Sequence, residues 1–196
     1  IPTTAGATVT RAAETLTVPA ADMPAYTTAV SIQMDGRMTY ADTDSGNAVI
    51  QYRWRADANT RIQGYLSTAG TRTGHPTWSS TAAGVTDYST GSPTYYSPDV
   101  NVPFNIASRH GSTFIQGAVD GTAPTANTAP VALPDLSAAD FEIGYIFMGN
   151  IGKVRVWAVD LTDTGIVEAT LPSTEPSLSL TFDGSETSFT VLDWSE

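Results

Sequence analysis

Short runs of alternating apolar and polar residues recur along the chain, set apart by Gly, Pro, Asn and Asp. Val30, Ile32 and Met34 alternate with Ser31 and Gln33, and Asp35-Gly36 then predicts a tight hairpin turn. Ile50, Tyr52 and Trp54 alternate with Gln51, Arg53 and Arg55, which predicts a strand with one apolar and one basic face. Residues 61–66 supply its hairpin partner. Residues 104–107 and 114–119 form a further pair, joined at His110-Gly111 and closed by Asp120-Gly121. Phe141, Ile143 and Tyr145 alternate with Glu142 and Gly144. Residues 151–159 carry the strongest strand signal, with Val154, Val156 and Ala158 on one side and Lys153, Arg155 and Trp157 on the other. Residues 178–182 and 189–192 bracket Asp183-Gly184, another hairpin signal. A single short helix is predicted near residues 161–171, opened by Asp160-Leu161-Thr162-Asp163, ended by Pro172 and weakened by Gly165. Many short strands with almost no helix make the fold class all-β, an antiparallel sandwich.

Some stretches interrupt the rhythm. Residues 68–101 are poor in aliphatics and rich in Thr, Ser, Gly and Pro, yet hold His75, Trp78, Tyr88, Tyr95 and Tyr96. A loop of that length in a compact domain is either functional or disordered, and its aromatics favour order. Residues 122–134 read as a plain extended connection. Pro172 to Pro176 reads as a linker. The chain therefore divides into a sandwich over residues 1–171 and a C-terminal hairpin over 172–196 that packs on the same domain.

Composition narrows the partners. Charged residues are only 15% of the 196 positions, and the polar remainder is mostly Thr, Ser, Asn and Gln, which suits pleated, half-exposed strands. Nine basic residues stand against twenty acidic ones, a net charge of −11. A field of that sign opposes binding to a phosphate backbone and repels anionic membrane. No nucleic acid partner and no membrane insertion are expected. With no cysteine, a disulfide framework, a zinc-thiolate centre and a cysteine nucleophile are all excluded. A chain that opens Ile1-Pro2 reads as a fragment or a processed product.

The segment VPFNIASRHGSTFIQGAVDGT (residues 102–122) resembles the paired central strands of concanavalin-A-like jelly-roll modules, laminin-G-like ones included. LPDLSAADFEIGYIFMGNIGKVRVWAVDLTDTGIVEATL (residues 133–171) resembles the closing part of the same module. VTRAAETLTVP (residues 9–19) is similar to the segment that opens such modules in structural proteins of tailed bacteriophages and gene-transfer particles. The resemblance implies an antiparallel two-sheet jelly-roll sandwich covering about two thirds of the chain, with residues 68–101 outside it. It also implies a non-enzymatic virion component: a decoration, spike or fibre module that contacts host-surface glycans. Its partners would be other virion proteins or itself, as a homo-oligomer such as a trimer. The alternative is a bacterial secreted or surface carbohydrate-binding domain of lectin type. A third reading is a polysaccharide lyase or hydrolase, because fold alone does not select among these.

The enzymatic reading finds little support in the residues. Glycoside hydrolases of this fold resemble one another in a Glu-x-Asp-x-(x)-Glu strand whose carboxylates act as nucleophile and acid, and the chain has no such strand. Lyases of the fold share a Gln-x-His strand, whereas Gln116 is followed by Gly117-Ala118. Both histidines, His75 and His110, fall in predicted loops. A binding site is easier to draw. Trp78, Tyr95, Tyr96 and His75 form a candidate sugar-stacking platform, since pyranose C–H faces pack on aromatic rings; the competing reading makes them loop anchors. Arg53 and Arg55, with Lys153 and Arg155 on another strand, either pair with carboxylates such as Glu142 or line a groove for an anionic glycan. Trp54 and Trp157 read as core. Asp42, Asp44 and Asn47 offer hard oxygen ligands of the kind calcium takes, against the plainer reading of an Asx turn. No other cofactor is called for.

Overall fold

The computed structural model describes residues 16–38, 48–67, 75–91, 103–145, 147 and 149–172. In chain order its strands are β1 (Leu16–Val18), β2 (Ala29–Met38), β3 (Ala48–Asp57), β4 (Thr60–Ser67) and β5 (His75–Ala82). Then follow β6 (Val85–Thr90), β7 (Pro103–Gly111), β8 (Ile115–Val119), β9 (Phe141–Ile143), β10 (Gly149–Trp157) and helix α1 (Thr162–Thr170). They form a six-stranded sheet, β1-β9-β3-β4-β5-β6, and a four-stranded sheet, β10-β2-β7-β8. Every pairing among the described strands is antiparallel. The fold is the expected all-β jelly-roll sandwich with one short helix.

Alternation along each strand sends one set of side chains between the sheets. Tyr52, Trp54, Ile62 and Phe141 from the larger sheet meet Ile32, Met34, Ile106 and Val119 from the smaller in one cluster. Each fully buried large side chain of this kind contributes roughly 1.5–3 kcal/mol. Trp78 closes the core at the β5 end, where it needs a glycine opposite. A Cβ on Gly117 of β8 would lie 2.0 Å from the indole. A polar chain also threads the core. The Tyr52 hydroxyl lies 2.6 Å from Ser108 Oγ, Ser108 Oγ lies 2.9 Å from His110 Nε2, and His110 Nδ1 lies 2.9 Å from Ser80 Oγ. Burial pushes the His110 pKa down to about 3 and raises that of Tyr52.

Helix α1 lies on the outer face of the smaller sheet. Ala107 and Ala118 are small enough to let it approach, and Ile166 fills the gap, fully buried. Arg109 fastens its leading turn. Its Nη1 donates to Asp160 at 3.1 Å, its Nη2 pairs with Asp163, its Nε donates to Gln116 at 2.9 Å, and its guanidinium covers the Phe114 ring.

Several expectations need correction. Asp35-Gly36 is no hairpin turn: β2 continues through both, paired to β7 on one side and β10 on the other. Gly36 serves close packing, since a Cβ there would sit 2.5 Å from the Asn150 carbonyl oxygen. Residues 68–101 are not one long loop, because β5 and β6 form a hairpin inside them. The tight turn between them is Ala83-Gly84, both at positive φ. Its strands were hidden because their inward residues are small or polar rather than aliphatic. A bulge between Ile50 and Tyr52 breaks the expected face of β3, placing Val49, not Ile50, in the core with Tyr52 and Trp54. His110 lies within β7 and His75 begins β5, so neither is a loop residue. The C-terminal hairpin over 172–196 lies outside the described residues.

Candidate functional site

The outer face of the six-stranded sheet is polar from edge to edge. Register places Glu142, Arg53, Gln63, Ser79 and Tyr88 in one row across β9, β3, β4, β5 and β6. On one side runs the row Arg55, Arg61, Thr81 and Thr86; on the other run Tyr65, Thr77 and Thr90. At the usual strand spacing the central row spans roughly 19 Å. The sequence produces this face simply: Arg53 and Arg55 of β3, Arg61, Gln63, Tyr65 and Ser67 of β4, and His75, Thr77, Ser79 and Thr81 of β5 stand at alternate positions, while the intervening positions feed the core.

Arg53 stands second in the row, between Glu142 and Gln63, and is only 6% exposed. Its Nε donates to Glu142 Oε2 at 2.5 Å, and its guanidinium stacks on the Tyr145 ring with Cζ 3.5 Å from the centroid. Arg55 approaches the same carboxylate at 3.8 Å. Gly144, at φ +71°, turns the chain so that Tyr145 can lie over Arg53. What the face lacks is partners. Arg53 Nη2, Arg61 Nε, Gln51 Nε2 and Ser79 Oγ are buried and meet no hydrogen-bond partner among the described residues. Each such group costs about 1–3 kcal/mol relative to a satisfied one. All of them can donate. Arg53 and Ser79 share the central row, Arg61 stands in the row beside it and Gln51 at the bulge of β3, so the unpaired donors cluster in one region and suit a ligand rich in oxygen acceptors. Tyr145 and Tyr88, 38% and 46% exposed, stand at opposite ends of the row as apolar surfaces.

The sequence-predicted site residues distribute unevenly. Arg53 and Arg55 sit on this face, with Glu142 as their partner. His75 lies at its edge, opposite Ser67. Trp78 is 1% exposed, packed between the sheets, so it presents no face to a sugar and leaves the expected platform. Tyr95 and Tyr96 lie outside the described residues, as do Asp42, Asp44 and Asn47 of the calcium expectation. Among the described residues no group of three or more His, Asp or Glu could hold a metal ion. Lys153 and Arg155 lie on the other sheet. Sequence reasoning missed Gln51, Arg61, Ser79 and Tyr88. The alternation of Arg61, Gln63 and Tyr65 in β4 carried a usable signal. The corresponding alternation in β5 did not, because its inward positions (Pro76, Trp78, Ser80 and Ala82) include no aliphatic residue larger than alanine.

No family model and no curated protein sequence matches the chain. Solved structures do match in fold. The CBM40 domain of Ruminococcus gnavus IT-sialidase, bound to α2,3-sialyllactose, superposes with a TM-score of 0.57 at 11% identity, over 75% of this chain and 84% of that one. Domain 4 of AbnA, a GH43 extracellular arabinanase from Geobacillus stearothermophilus, in complex with arabinotriose, gives 0.54 at 15% identity, over 74% and 68%. The binding domain of botulinum neurotoxin serotype D gives 0.59 at 11% identity, over 82% and 40%. These likenesses establish the jelly-roll architecture.

Proposed function

We propose that the chain is a non-catalytic glycan-binding module whose ligand lies along the polar face of the six-stranded sheet. The observation that carries this reading is the set of buried, unpartnered donors on Arg53, Arg61, Gln51 and Ser79. A polyhydroxylated ligand supplies acceptors to all of them at once. Tyr145 and Tyr88 offer its C–H faces a surface to stack on. The neighbours in fold lend support, since two of them are domains solved with sialyllactose and arabinotriose. The absence of catalysis is argued from chemistry. Glu142 is the one carboxylate in the rows described and is tied to Arg53, whereas sugar hydrolysis needs a working pair. His110 is fully buried and beyond a substrate's reach.

The setting we favour is extracellular. Within it, a phage-type particle is the specific place, on the resemblance of residues 9–19 to the opening segment of virion modules; a bacterial secreted or surface domain is the alternative. Glycan-array screening of the purified chain tests the function. Binding is expected, with Arg53→Ala and Arg61→Ala each weakening it by about tenfold. Binding that survives both substitutions, or measurable cleavage of any bound glycan, refutes the reading. Stable trimers or capture by a capsid or tail protein would favour the particle setting, and a persistent monomer the secreted one.

A further inference from the structure

The opposite side of the sandwich carries a groove. Helix α1 covers only part of the outer face of the four-stranded sheet. Beyond its C-terminal turn that face opens into a groove of about 1180 Å³, lined by β2, β7, β10 and the chain leaving α1. Such a volume exceeds that of most single small-molecule sites.

The groove is built rather than incidental. Asn105 Nδ2 donates to the carbonyl oxygens of Ala169 and Leu171 at 3.2 and 3.3 Å, which fixes the orientation of its amide. Its Oδ1 must then accept from Gln33 Nε2, at 2.6 Å. Gln33 is 1% exposed, and its remaining Oε1 has no partner. A fixed acceptor is thus left without a donor in the wall of the groove. Beside it, the backbone bulges between Ile151 and Lys153. Gly152 lets the Asp35 carboxylate turn into the bulge, for a Cβ there would lie 2.2 Å from Asp35 Oδ1. Lys153, directly opposite Asp35 in register, forms no ion pair among the described residues. Arg155 and Arg37 likewise form no ion pair among the described residues.

The charges decide the ligand class. Arg37, Lys153 and Arg155 are matched within the same groove by Asp35, Asp120 and Glu168. A phosphate or sulfate dianion would be repelled by the carboxylates, and a neutral ligand would leave the cations idle. A singly charged carboxylate beside the cations, with hydroxyls donating to Gln33 Oε1 and the carboxylates, uses both halves. We propose that this groove is a second ligand site that takes a carboxylated oligosaccharide, held by Arg155 and Lys153 at the acid group and by Gln33 and Asp120 at hydroxyls. It shares only a ligand class with the proposed function and stands or falls separately from it.

Nitrogen-15 NMR titration tests it, using galacturonate, glucuronate and mannuronate tetrasaccharides and their methyl esters. At least one free acid should shift amides around Gln33 and Arg155. Its methyl ester should bind about tenfold more weakly, and Arg155→Gln and Lys153→Gln should each cost about tenfold. Failure of every acid to bind overturns the proposal, as does equal binding of acid and ester. Shifts confined to β3, β4 and β5 also overturn it, while leaving the six-stranded face as a binding surface. The mapping on unaltered protein keeps the result readable if a variant fails to fold.

Discussion

The outer faces of the two sheets are made from similar residues and put to different ends. On the four-stranded sheet, helix α1 lies over alanines, and Arg109 satisfies carboxylates of the turn before it and of its first turn. On the six-stranded sheet, Arg53 keeps one partner and a free end, and Arg61, Gln51 and Ser79 keep buried groups unpaired. An arginine whose donors are all engaged holds structure together. One whose donors are partly idle costs stability and can still take an outside acceptor. The contrast predicts that mutations beneath helix α1 act on folding, and mutations on the six-stranded face act on recognition.

The largest expected effect concerns the core that both faces share. His110 is held neutral between Ser80 and Ser108, with its pKa near 3 in the fold against 6.5 when exposed. The unfolded chain therefore takes up a proton that the folded chain refuses. This stability is fully present above about pH 6.5 and is lost as pH falls toward 3, on the order of several kcal/mol. Urea unfolding followed against pH should reveal that slope in the native chain and a shallower one in His110→Gln; identical slopes would be contrary. Next in size, Arg109→Leu should lower stability by about 2–3 kcal/mol, because it strands Gln116 and Asp160 beneath the helix. Its effect on glycan binding at the six-stranded face should be negligible by calorimetry. The smallest effect has the opposite sign. Ser79→Ala removes an unpaired buried hydroxyl without adding bulk, so stability should hold or rise by up to about 1 kcal/mol. Glycan affinity should fall all the same. A loss of stability there would mean that Ser79 is structural and that the contrast between the faces is wrong.

Legibility in the sequence followed side-chain chemistry. β3, β7, β9, β10 and α1 were readable because apolar residues at strand spacing, or a cap and a terminating proline, announced them. β5 and β6 were not. Their inward positions include Ser80, Asp87 and Ser89, so no apolar alternation separates inside from outside. As an aromatic in a polar stretch Trp78 reads either as a sugar-stacking ring or as an anchor, and the structure carries it into the core against Gly117. Arg53 and Arg55 were found by their charge, but Gln51, Arg61 and Ser79 have unremarkable identities and matter only through what they fail to touch.

What the sequence determined by itself is the architecture. Period-two alternation, turn residues and the near absence of helix leave few ways to bury the apolar half of each strand except in a sandwich. It also determined, through the missing cysteines and the acidic balance, what the protein cannot use. Tertiary structure alone decided which polar residues are ordinary surface and which are unsatisfied. Whether a serine hydroxyl or a guanidinium end finds a partner depends on strand register, on bulges such as those at Ile50/Tyr52 and Ile151/Lys153, and on what packs from far along the chain. Those are properties of neighbours in space, which alternation along a single strand does not encode.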